Sequence, residues 1–428
     1  MEADLIIHNA NLVTCASGGK PKRFAGMRDV GSIENGAIAV NDGKISGVGK
    51  SDEILNQFQS ETIIDANGKV VSPAFVECHT HVVFAGNRFD EFELKIKGAN
   101  YLEILASGGG IISTVRQTRE ASLAELIEQS RKRLDKMLAL GVTTCEIKTG
   151  YGLNTETELK MLDAIFDLDE SHIIDLIPTF LAAHAISPEF KENPDKYVDL
   201  ICMEMLPLLN SKFKIQDSKN PFFADVFCEK NAFDLEQSRR VLETAKSFGF
   251  ELKAHVDEFT NLGCARVAIE LGATSIDHLD AISDEEIALL AASNTIGIVT
   301  PTVNFNFGST HFADARKMID AGCAIAVSTD YNPGSAPCPS LPNAMAIACR
   351  YQKLLPSEAF NAITINAAFA VGSGEKIGSL ETGKQADILI LDTKDYRETA
   401  YEFGSNLIET VIKNGKIVHS VPSALMSI

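Results

Sequence analysis

The stretch VVSPAFVECHTH, residues 70–81, decides how the rest of the sequence is interpreted. Residues 70–78 are mostly apolar, include several β-branched side chains and follow turn-forming residues, so they predict a buried strand. Two histidines spaced i, i+2 at the end of a strand point to the same face. Because imidazole is the commonest metal ligand at neutral pH, the pair predicts half of a metal site. The alternative is a pair of hydrogen-bonded polar residues where a strand ends.

Composition narrows the class of protein. The chain has 428 residues, of which 45% are hydrophobic and 23% are charged, as in ordinary soluble globular proteins with a large core. The net charge is −19 and no long basic cluster occurs, so we expect neither nucleic acid nor a membrane surface as a partner. The start lacks the pattern of a secretory signal, and the nine cysteines form no Cys-x-x-Cys pair. These features predict a cytoplasmic protein with reduced thiols.

The two ends of the chain resemble each other. Both contain short apolar runs with hairpin turn signals, at Asn41-Asp42-Gly43 near the start and Asn414-Gly415 near the end. Neither set of strands is large enough to close a core alone. We therefore predict one small composite β-sandwich domain from residues 1–66 and 380–428, with residues 67–379 forming the main domain.

The middle of the chain alternates between strands and helices. Strand-like runs occur at residues 70–78, 142–147, 173–180, 222–227, 251–255, 275–278, 296–300 and 324–328. Helical patterns lie between most of them, and one begins with a capping box at Ser122-Leu123-Ala124-Glu125. Eight such units over this length predict an α/β fold, a (β/α)8 TIM-like barrel, with a doubly wound sheet as the alternative.

Polar side chains follow the predicted strands where each one ends. They are His79, His81, Lys148, His184, Glu229, His255, His278 and Asp330. In a barrel the C-terminal strand ends meet on one face, where active sites form. Three imidazoles and one carboxylate suit zinc or iron, and a bound divalent metal makes hydroxide available at neutral pH. Glu258 follows His255 closely enough to reach a substrate or a transferred proton, although it also suits a helix N-terminus.

These motifs resemble the amidohydrolase superfamily and, within it, the imidazolonepropionase family. The superfamily resemblance rests on His-x-His after the first strand and on His255, His278 and Asp330 at later strand ends. The closer resemblance rests on HTHVVFAGNR (79–88), GGGI (108–111), KTGYGL (148–153), TFLAAHA (179–185), HVDE (255–258) and STDYNPGS (328–335). It covers essentially the whole chain. The sequence departs from the superfamily pattern at Ala74, where glycine is usual, and at Glu77, where aspartate is common.

The resemblance implies roles for particular residues. It implies that His79, His81, His255 and Asp330 hold one metal ion, zinc or iron. It implies a small-molecule substrate, 4-imidazolone-5-propanoate, which is hydrolysed to N-formimidoyl-L-glutamate in histidine degradation. The residues that would line the substrate site are Arg88, Tyr151, His184, Glu258, Asn332, Gly334 and Ser335. Arginine suits the propanoate because it can bind a carboxylate through two hydrogen bonds. The alternatives are a surface ion pair for Arg88 with Asp90 or Glu91, and a turn residue for Tyr151.

The expected reaction is attack of metal-bound hydroxide on the ring carbonyl, with Glu258, His278 and Asp330 as the candidate proton-transfer groups. No lysine ends the fourth strand, so a single metal is expected, and Lys148 is interpreted as structural or substrate-facing. A homodimer is expected from the family resemblance. One alternative is another cyclic amidohydrolase or a base deaminase on the same barrel, which would not need Arg88 and Tyr151. The other is a non-catalytic barrel that serves as an oligomeric scaffold, whose sequence would have lost ligands.

Overall fold

The computed structural model describes residues 1–98, 109–215 and 221–421. Gly108 of the predicted triple-glycine motif lies outside the described residues. The strands are β1 (Leu5–Val13), β2 (Ser32–Asn41), β3 (Lys44–Lys50), β4 (Ile63–Asp65), β5 (Val70–Pro73), β6 (Phe75–Glu77), β7 (Val142–Lys148), β8 (Asp175–Ala183), β9 (Phe223–Cys228), β10 (Glu251–Val256), β11 (Ser275–His278), β12 (Ile296–Val299), β13 (Ile325–Val327), β14 (Ile388–Leu391), β15 (Ile408–Lys413) and β16 (Lys416–Ser420).

The α-helices are Ser51–Gln57, Phe89–Ile96, Ile111–Glu120, Leu123–Ala139, Thr155–Ser171, Pro194–Leu200, Leu206–Phe213, Leu235–Ser247, Cys264–Glu270, Asp284–Ala292, Pro301–Asn306, Ala315–Ala321, Leu341–Tyr351, Pro356–Ala362, Ile365–Ala370 and Glu398–Tyr401. Short 3-10 helices span Phe24–Arg28 and Pro188–Phe190, and a π-helical turn spans Ile201–Met205. The predicted capping box is present, since the backbone N–H of Glu125 donates to Ser122 Oγ at 3.3 Å. No helix within the described ranges is long and apolar enough to cross a membrane.

The first sheet joins strands from both ends of the chain. Its order is β16-β15-β14-β5-β1-β2-β3, and β4 pairs with β1. β5 is the link, because it runs parallel to β1 and antiparallel to β14. The buried side chains of this sheet form their own apolar cluster, which includes Ile7, Ile38 and Ile388. The terminal segments therefore share one mixed sheet and one layer of core.

The second sheet is parallel and has the order β13-β12-β11-β10-β9-β8-β7-β6. Its strands are buried on both faces, as expected when helices cover a parallel sheet. The segments that follow the two outer strands, β6 and β13, contact each other. The backbone N–H of His81 donates to the carbonyl of Tyr331 at 3.0 Å, and Ser328 Oγ donates to the carbonyl of His79 at 2.9 Å. The α/β class predicted from the alternating pattern is confirmed.

The predicted strand over residues 70–78 is in fact two strands, so that expectation was wrong. β5 pairs with β1 and β14 in the mixed sheet, whereas β6 pairs with β7 in the parallel sheet. The chain changes sheets at Pro73 and Ala74. Pro73 has no N–H to donate to a ladder, and the N–H of Ala74 still donates to the carbonyl of Asp387 at 3.0 Å before β6 begins. His79 and His81 consequently follow β6 in a loop, and do not lie within a strand.

Candidate metal centre

Four histidine rings lie together beyond the C-terminal ends of the parallel strands. The ring centroids of His79 and His255 are 4.5 Å apart, and those of His79 and His81 are 5.6 Å apart. His278 lies 5.1 Å from His255 and 5.2 Å from His79. β10 and β11 carry His255 and His278, and the loop after β6 carries the other two. The parallel topology thus brings together histidines that are far apart in the sequence.

Two groups of side chains place their candidate ligand atoms within 4.8 Å of one another at this point. One is His79, His81 and Asp330, and the other is His79, His255 and His278. Asp330 Oδ1 is 3.4 Å from Nε2 of both His79 and His81. His278 therefore lies as close to the cluster as the four ligands that the sequence predicts. Geometry alone does not separate it from them.

Burial leaves polar atoms of the cluster without partners. Among the described residues, His79 Nε2, His255 Nε2 and Asp330 Oδ1 are buried and have no hydrogen bond. An unpaired buried polar atom costs about 1–3 kcal/mol, so such atoms usually have a partner such as an ion. Nitrogen and carboxylate oxygen are both ligands that zinc and iron accept. The side chains therefore fit a divalent metal.

The electrostatics of the cluster agree with this fit. Burial, followed by the nearby positive charge of Lys148, holds the pKa of His79 well below its usual value, and burial does the same for the pKa of His81 and of His278. Neutral imidazoles have the lone pairs that a metal needs. Burial raises the pKa of Asp330 well above its ordinary range. A cation at this point would favour the ionised carboxylate.

The loops that carry these residues are held in unusual backbone conformations. His278 has φ 82°, Leu279 has φ 70° and Asp330 has φ 49°, although none of them is glycine. Such conformations persist only when surrounding contacts impose them, and they are common at functional sites. One such contact is Glu77 at the end of β6, which accepts hydrogen bonds from the hydroxyls of Ser328 and Thr329. Glu77, the departure from the usual aspartate, thus ties the His79 segment to the Asp330 segment.

A cavity of about 250 Å³ opens above the cluster. It is lined by His81, Arg88, Tyr151, His184, His255, Glu258, His278, Asp330, Asn332, Gly334 and Ser335, together with seven other residues. Every residue predicted for the substrate is in this lining. A second cavity of about 400 Å³, lined by Phe305, Tyr351 and Phe403 among others, includes no histidine or carboxylate. The first cavity is the candidate site.

Arg88 is fixed at the wall of the cavity by three neighbours. Its Nε donates to Thr114 Oγ1 at 3.1 Å and lies 3.6 Å from Glu91 Oε2. Glu91 also accepts from the backbone N–H of Gly110 at 2.8 Å. A Cβ at Gly334 would lie 1.7 Å from Arg88 Nη1, so a larger residue there would displace the guanidinium from this position. The ion pair proposed as the alternative for Arg88 exists with Glu91, but Arg88 faces the cavity as well.

The remaining predicted residues are held by loop contacts. Asn332 Oδ1 accepts the N–H groups of Gly334 and Ser335 at 2.8 Å each, and its Nδ2 donates to Ser335 Oγ at 2.7 Å. Asn332 therefore shapes the loop after β13. The ring of His184 stacks on His81 at 4.8 Å, with Nδ1 3.1 Å from the carbonyl of Gly150. Burial lowers the pKa of His184 to about 3, so this ring is neutral.

Tyr151 lies on a loop that one carboxylate organises. Glu158 accepts backbone N–H groups from Gly150, Gly152 and Leu153 at 3.0, 2.8 and 2.8 Å. Gly150 has φ 102°, and a Cβ there would lie 2.8 Å from the carbonyl oxygen of Leu181. The glycines on either side of Tyr151 are thus required by the loop, which brings the tyrosine ring to 5.5 Å from His184.

Sequence reasoning missed several residues of the site. Lys95, Glu91, Phe227, Phe259 and Phe307 line the cavity, and Asp225 and Asp277 lie against the histidines. A signal existed for the two aspartates, because each alternates with apolar residues inside a buried strand, where a charge needs a partner. Lys148, interpreted as structural or substrate-facing, is fully buried and does not line the cavity.

Comparison with known proteins identifies relatives over the whole chain. An imidazolonepropionase from Chloroflexus aggregans is 50% identical over 419 residues, which cover 97% of this chain and 98% of that protein. Another from Herpetosiphon aurantiacus is 48% identical over 418 residues, or 97% of each chain. The model of the amidohydrolase family matches residues 229–418.

Solved structures of two deaminases share the fold. E. coli guanine deaminase superposes with a TM-score of 0.73 at 16% identity, over 97% of this chain and 99% of that one. An adenosine deaminase from Xanthomonas campestris with bound zinc superposes with a TM-score of 0.70 at 18% identity, over 99% and 96% of the two chains. At these identities the likeness concerns the fold alone. The family assignment rests on the high sequence identity to relatives that match over nearly their full length. This chain belongs to the imidazolonepropionase family.

Proposed function

We propose that this chain hydrolyses the cyclic amide of 4-imidazolone-5-propanoate to N-formimidoyl-L-glutamate, with one metal ion at the histidine cluster. The observation that carries the proposal is that Arg88 lines the same cavity as three of the proposed ligands, His81, His255 and Asp330. The cavity thus offers a carboxylate-binding cation at its wall and candidate metal ligands at its floor. A substrate that joins a propanoate to a hydrolysable ring requires both. Family membership supports the same reaction.

The proposed ligands are His79, His81, His255 and Asp330. Their unpaired buried atoms, and the lowered pKa values of His79 and His81, support this choice. A divalent metal there would acidify water, so that a hydroxide nucleophile is available near pH 7. The donor set suits both zinc and iron, and elemental analysis of the purified protein would identify the bound metal.

His278 is proposed to orient the attacking water and not to bind the metal. Its Nδ1 lies 3.0 Å from Thr300 Oγ1, which fixes the ring, and its Nε2 lies 4.0 Å from Glu258 Oε2. A neutral imidazole held between a hydroxyl and a carboxyl group can accept a proton and pass it on. The short distances to His79 and His255 make metal content of a His278→Ala variant the decisive measurement.

Glu258 is proposed to protonate the departing ring nitrogen. Burial, followed by the nearby charge of Asp330, raises the pKa of Glu258 well above its ordinary value, which favours the protonated carboxyl group that this role requires. Water adds to the ring carbonyl carbon, the adjacent C–N bond breaks, and the nitrogen takes a proton from this side of the cavity. Asp330, beside His79 and His81, can accept the proton of the attacking water.

Arg88 is proposed to bind the propanoate. Its Nη1 lies over Gly334, and among the described residues only its Nε donates a hydrogen bond, so both Nη groups can donate toward the cavity. Tyr151, His184 and Ser335 would complete the contacts with the ring and its substituents. A charge-assisted pair between arginine and carboxylate fixes both position and orientation.

The experiment that tests the function distinguishes ring hydrolysis from deamination by measuring whether ammonia is released. Ring opening consumes water and releases no ammonia, whereas a base deaminase releases one ammonia per turnover. Purified metal-loaded protein should consume the ring absorbance of 4-imidazolone-5-propanoate without ammonia and should not act on guanine or adenosine. Ammonia release from a purine or pyrimidine, with no loss of the imidazolone, would favour the deaminase alternative.

The finer architecture belongs to the same proposal. We infer that the parallel sheet closes as a (β/α)8 barrel and that residues 1–66 and 380–428, linked by β5, form the small β-domain. The links between His81 and Tyr331 and between Ser328 and His79 support closure. A homodimer and a cytoplasmic location are also proposed. Nine unpaired cysteines support the location, and sedimentation would test the oligomeric state.

A further inference from the structure

A layer of buried charges lies directly beneath the candidate metal centre. Lys148 Nζ is 2.8 Å from Glu146 Oε1, 2.8 Å from Asp225 Oδ2 and 3.6 Å from Asp277 Oδ2. All four side chains have no solvent exposure. Lys148 does not line the cavity, so any effect it has on chemistry must act through its neighbours.

Each carboxylate of the layer holds a different part of the proposed ligand set. Asp277 Oδ2 lies 2.6 Å from His79 Nδ1, and Asp225 Oδ2 lies 3.0 Å from His255 Nδ1, the latter in a less well aligned contact. Glu146 Oε2 accepts the backbone N–H of Thr80 at 3.1 Å. Thr80 is the residue between His79 and His81. One ammonium group therefore contacts three anions, of which two reach the proposed ligands His79 and His255 and the third holds the peptide between His79 and His81.

These contacts decide which ring nitrogen of each histidine is free. A carboxylate can only accept, so the hydrogen bond to Asp277 places the proton of His79 on Nδ1, and the nearby carboxylate of Asp225 favours the same tautomer of His255. Nε2 then keeps its lone pair, and in both rings Nε2 is a buried atom without a partner. Carboxylates behind ligating histidines fix the tautomer and the ring orientation in this way.

The charge of the layer shows why a lysine is needed there. One cation and three anions give a formal charge of −2 in a fully buried space. Without Lys148 the charge would be −3, and Asp225 and Asp277 would repel each other with no group between them. The carboxylates would then move apart, and this change would release the histidines.

We propose that Lys148 is a positioning residue for the metal centre: it holds Asp225 and Asp277 where they fix His79 and His255 with Nε2 directed at the metal. This inference rests on the proposed function, because it assumes that the cluster binds a metal. It differs from a merely structural role in what it predicts. A structural lysine affects the stability of the fold, whereas a positioning lysine affects metal affinity in protein that is still folded.

The chain contains a matched control. Lys413 is also a buried lysine, with Nζ 2.6 Å from Asp175 Oδ2 and 2.8 Å from Asp387 Oδ2. Asp175 begins β8 at the opposite end of the parallel sheet, and neither carboxylate contacts a proposed ligand. Lys148→Met and Lys413→Met therefore remove the same chemical group from the two ends of the sheet.

The experiment measures zinc affinity of the purified full chain by competition with a chelator, alongside thermal unfolding. Lys148→Met should bind zinc about 10- to 100-fold more weakly than the unsubstituted chain. Lys413→Met should melt at a lower temperature and bind zinc normally. The double variant Lys148→Met with Glu146→Gln restores the formal charge of −2 and keeps an acceptor for the N–H of Thr80. It serves as the test protein if Lys148→Met alone does not fold. It should still bind weakly, because nothing then holds the two aspartates.

Wild-type zinc affinity in folded Lys148→Met or in the double variant would overturn the inference. A measurement without any variant adds a second test. In metal-free protein labelled with ¹⁵N-histidine, His79 and His255 should be protonated at Nδ1, and protonation at Nε2 would equally overturn it. If the unsubstituted chain binds no zinc or iron while these rings show the expected tautomer, the proposed metal centre fails instead.

Discussion

The two ends of the parallel sheet treat buried polar groups in opposite ways. At the N-terminal end Asp387 accepts from Lys413 at 2.8 Å, from Gln385 at 2.9 Å and from the backbone N–H of Asn414 at 3.0 Å. At the C-terminal end His79 Nε2, His255 Nε2 and Asp330 Oδ1 have no partner within the described part of the chain. The cluster around Asp387 satisfies its polar groups internally, whereas the histidine cluster leaves these three atoms available.

The contrast between paired and unpaired buried polar atoms indicates which end of the sheet carries the function. A satisfied network stabilises the protein and has nothing left to offer a ligand. Unsatisfied buried atoms cost stability, so their presence at one end indicates that something else pairs with them. The C-terminal end is where sheets of this kind bind ligands. The predictions below compare substitutions at the two ends.

The largest effect is expected from a proposed ligand. His255→Ala removes one of the ligating nitrogens, so metal content should fall from about one ion per chain toward zero, and activity should fall to the background rate. Elemental analysis of protein purified in parallel with Lys413→Met checks this, because the control should keep its metal. Full metal content in the alanine variant, or two ions per active chain, would refute the ligand set.

A smaller loss is expected from the groups that move protons. His278→Ala should keep its metal and lose kcat by roughly 10²- to 10⁴-fold, the usual worth of a general acid or base. Glu258→Gln should lose kcat within the same range, because the amide keeps the shape but cannot deliver the proton. Steady-state kinetics with metal analysis separates the outcomes. A His278→Ala variant without metal would show that His278 is a ligand.

Arg88→Ala is expected to weaken substrate binding by about 1.5–3 kcal/mol, or roughly 10- to 150-fold in kcat/KM. Arg88→Lys should recover part of this loss, because lysine lacks the planar fork. Arg116→Ala is the matched control, since Arg116 lies on the same helix as Thr114 but outside the candidate cavity. Unchanged kcat/KM in Arg88→Ala would mean that Arg88 serves only its ion pair with Glu91.

The smallest effect on catalysis is expected at the N-terminal end. Lys413→Met leaves Asp175 and Asp387 without their cation, so the protein should lose stability. Breaking a fully buried ion pair costs about 3–5 kcal/mol in the free energy of unfolding. The loss here should be smaller, because the Asp175 side chain is 48% exposed. Denaturant unfolding measures the loss, and kcat should not change. A large fall in kcat would mean that the two ends are coupled.

The sequence predicted the site better than it predicted the connections around it. His255, His278 and Asp330 follow strands that parallel topology must bring together, so their convergence could be predicted from spacing. The split of residues 70–78 could not, because an apolar run does not reveal which sheet each half joins. Arg88 over Gly334 and Glu91 on Gly110 depend on how loops pack, which local patterns do not encode.

Lys148 illustrates the same limit. Its spacing from Glu146 places both side chains on one face of β7, which suggests a buried pair. The partners Asp225 and Asp277 come from β9 and β11, and no pattern in the sequence connects them to Lys148. Only the assembled sheet shows that one ammonium group holds carboxylates behind two of the histidines.

The central claim is that one cavity binds the propanoate of the substrate through Arg88 and hydrolyses the ring of the same substrate at the metal site. The most direct measurement supplies 4-imidazolone-5-propanoate to the purified, metal-loaded chain and follows ring absorbance, N-formimidoyl-L-glutamate and ammonia together. The account predicts that absorbance disappears, that the product appears in equal amount, and that no ammonia forms. Stable absorbance with metal-loaded protein, or ammonia in place of the product, would contradict it.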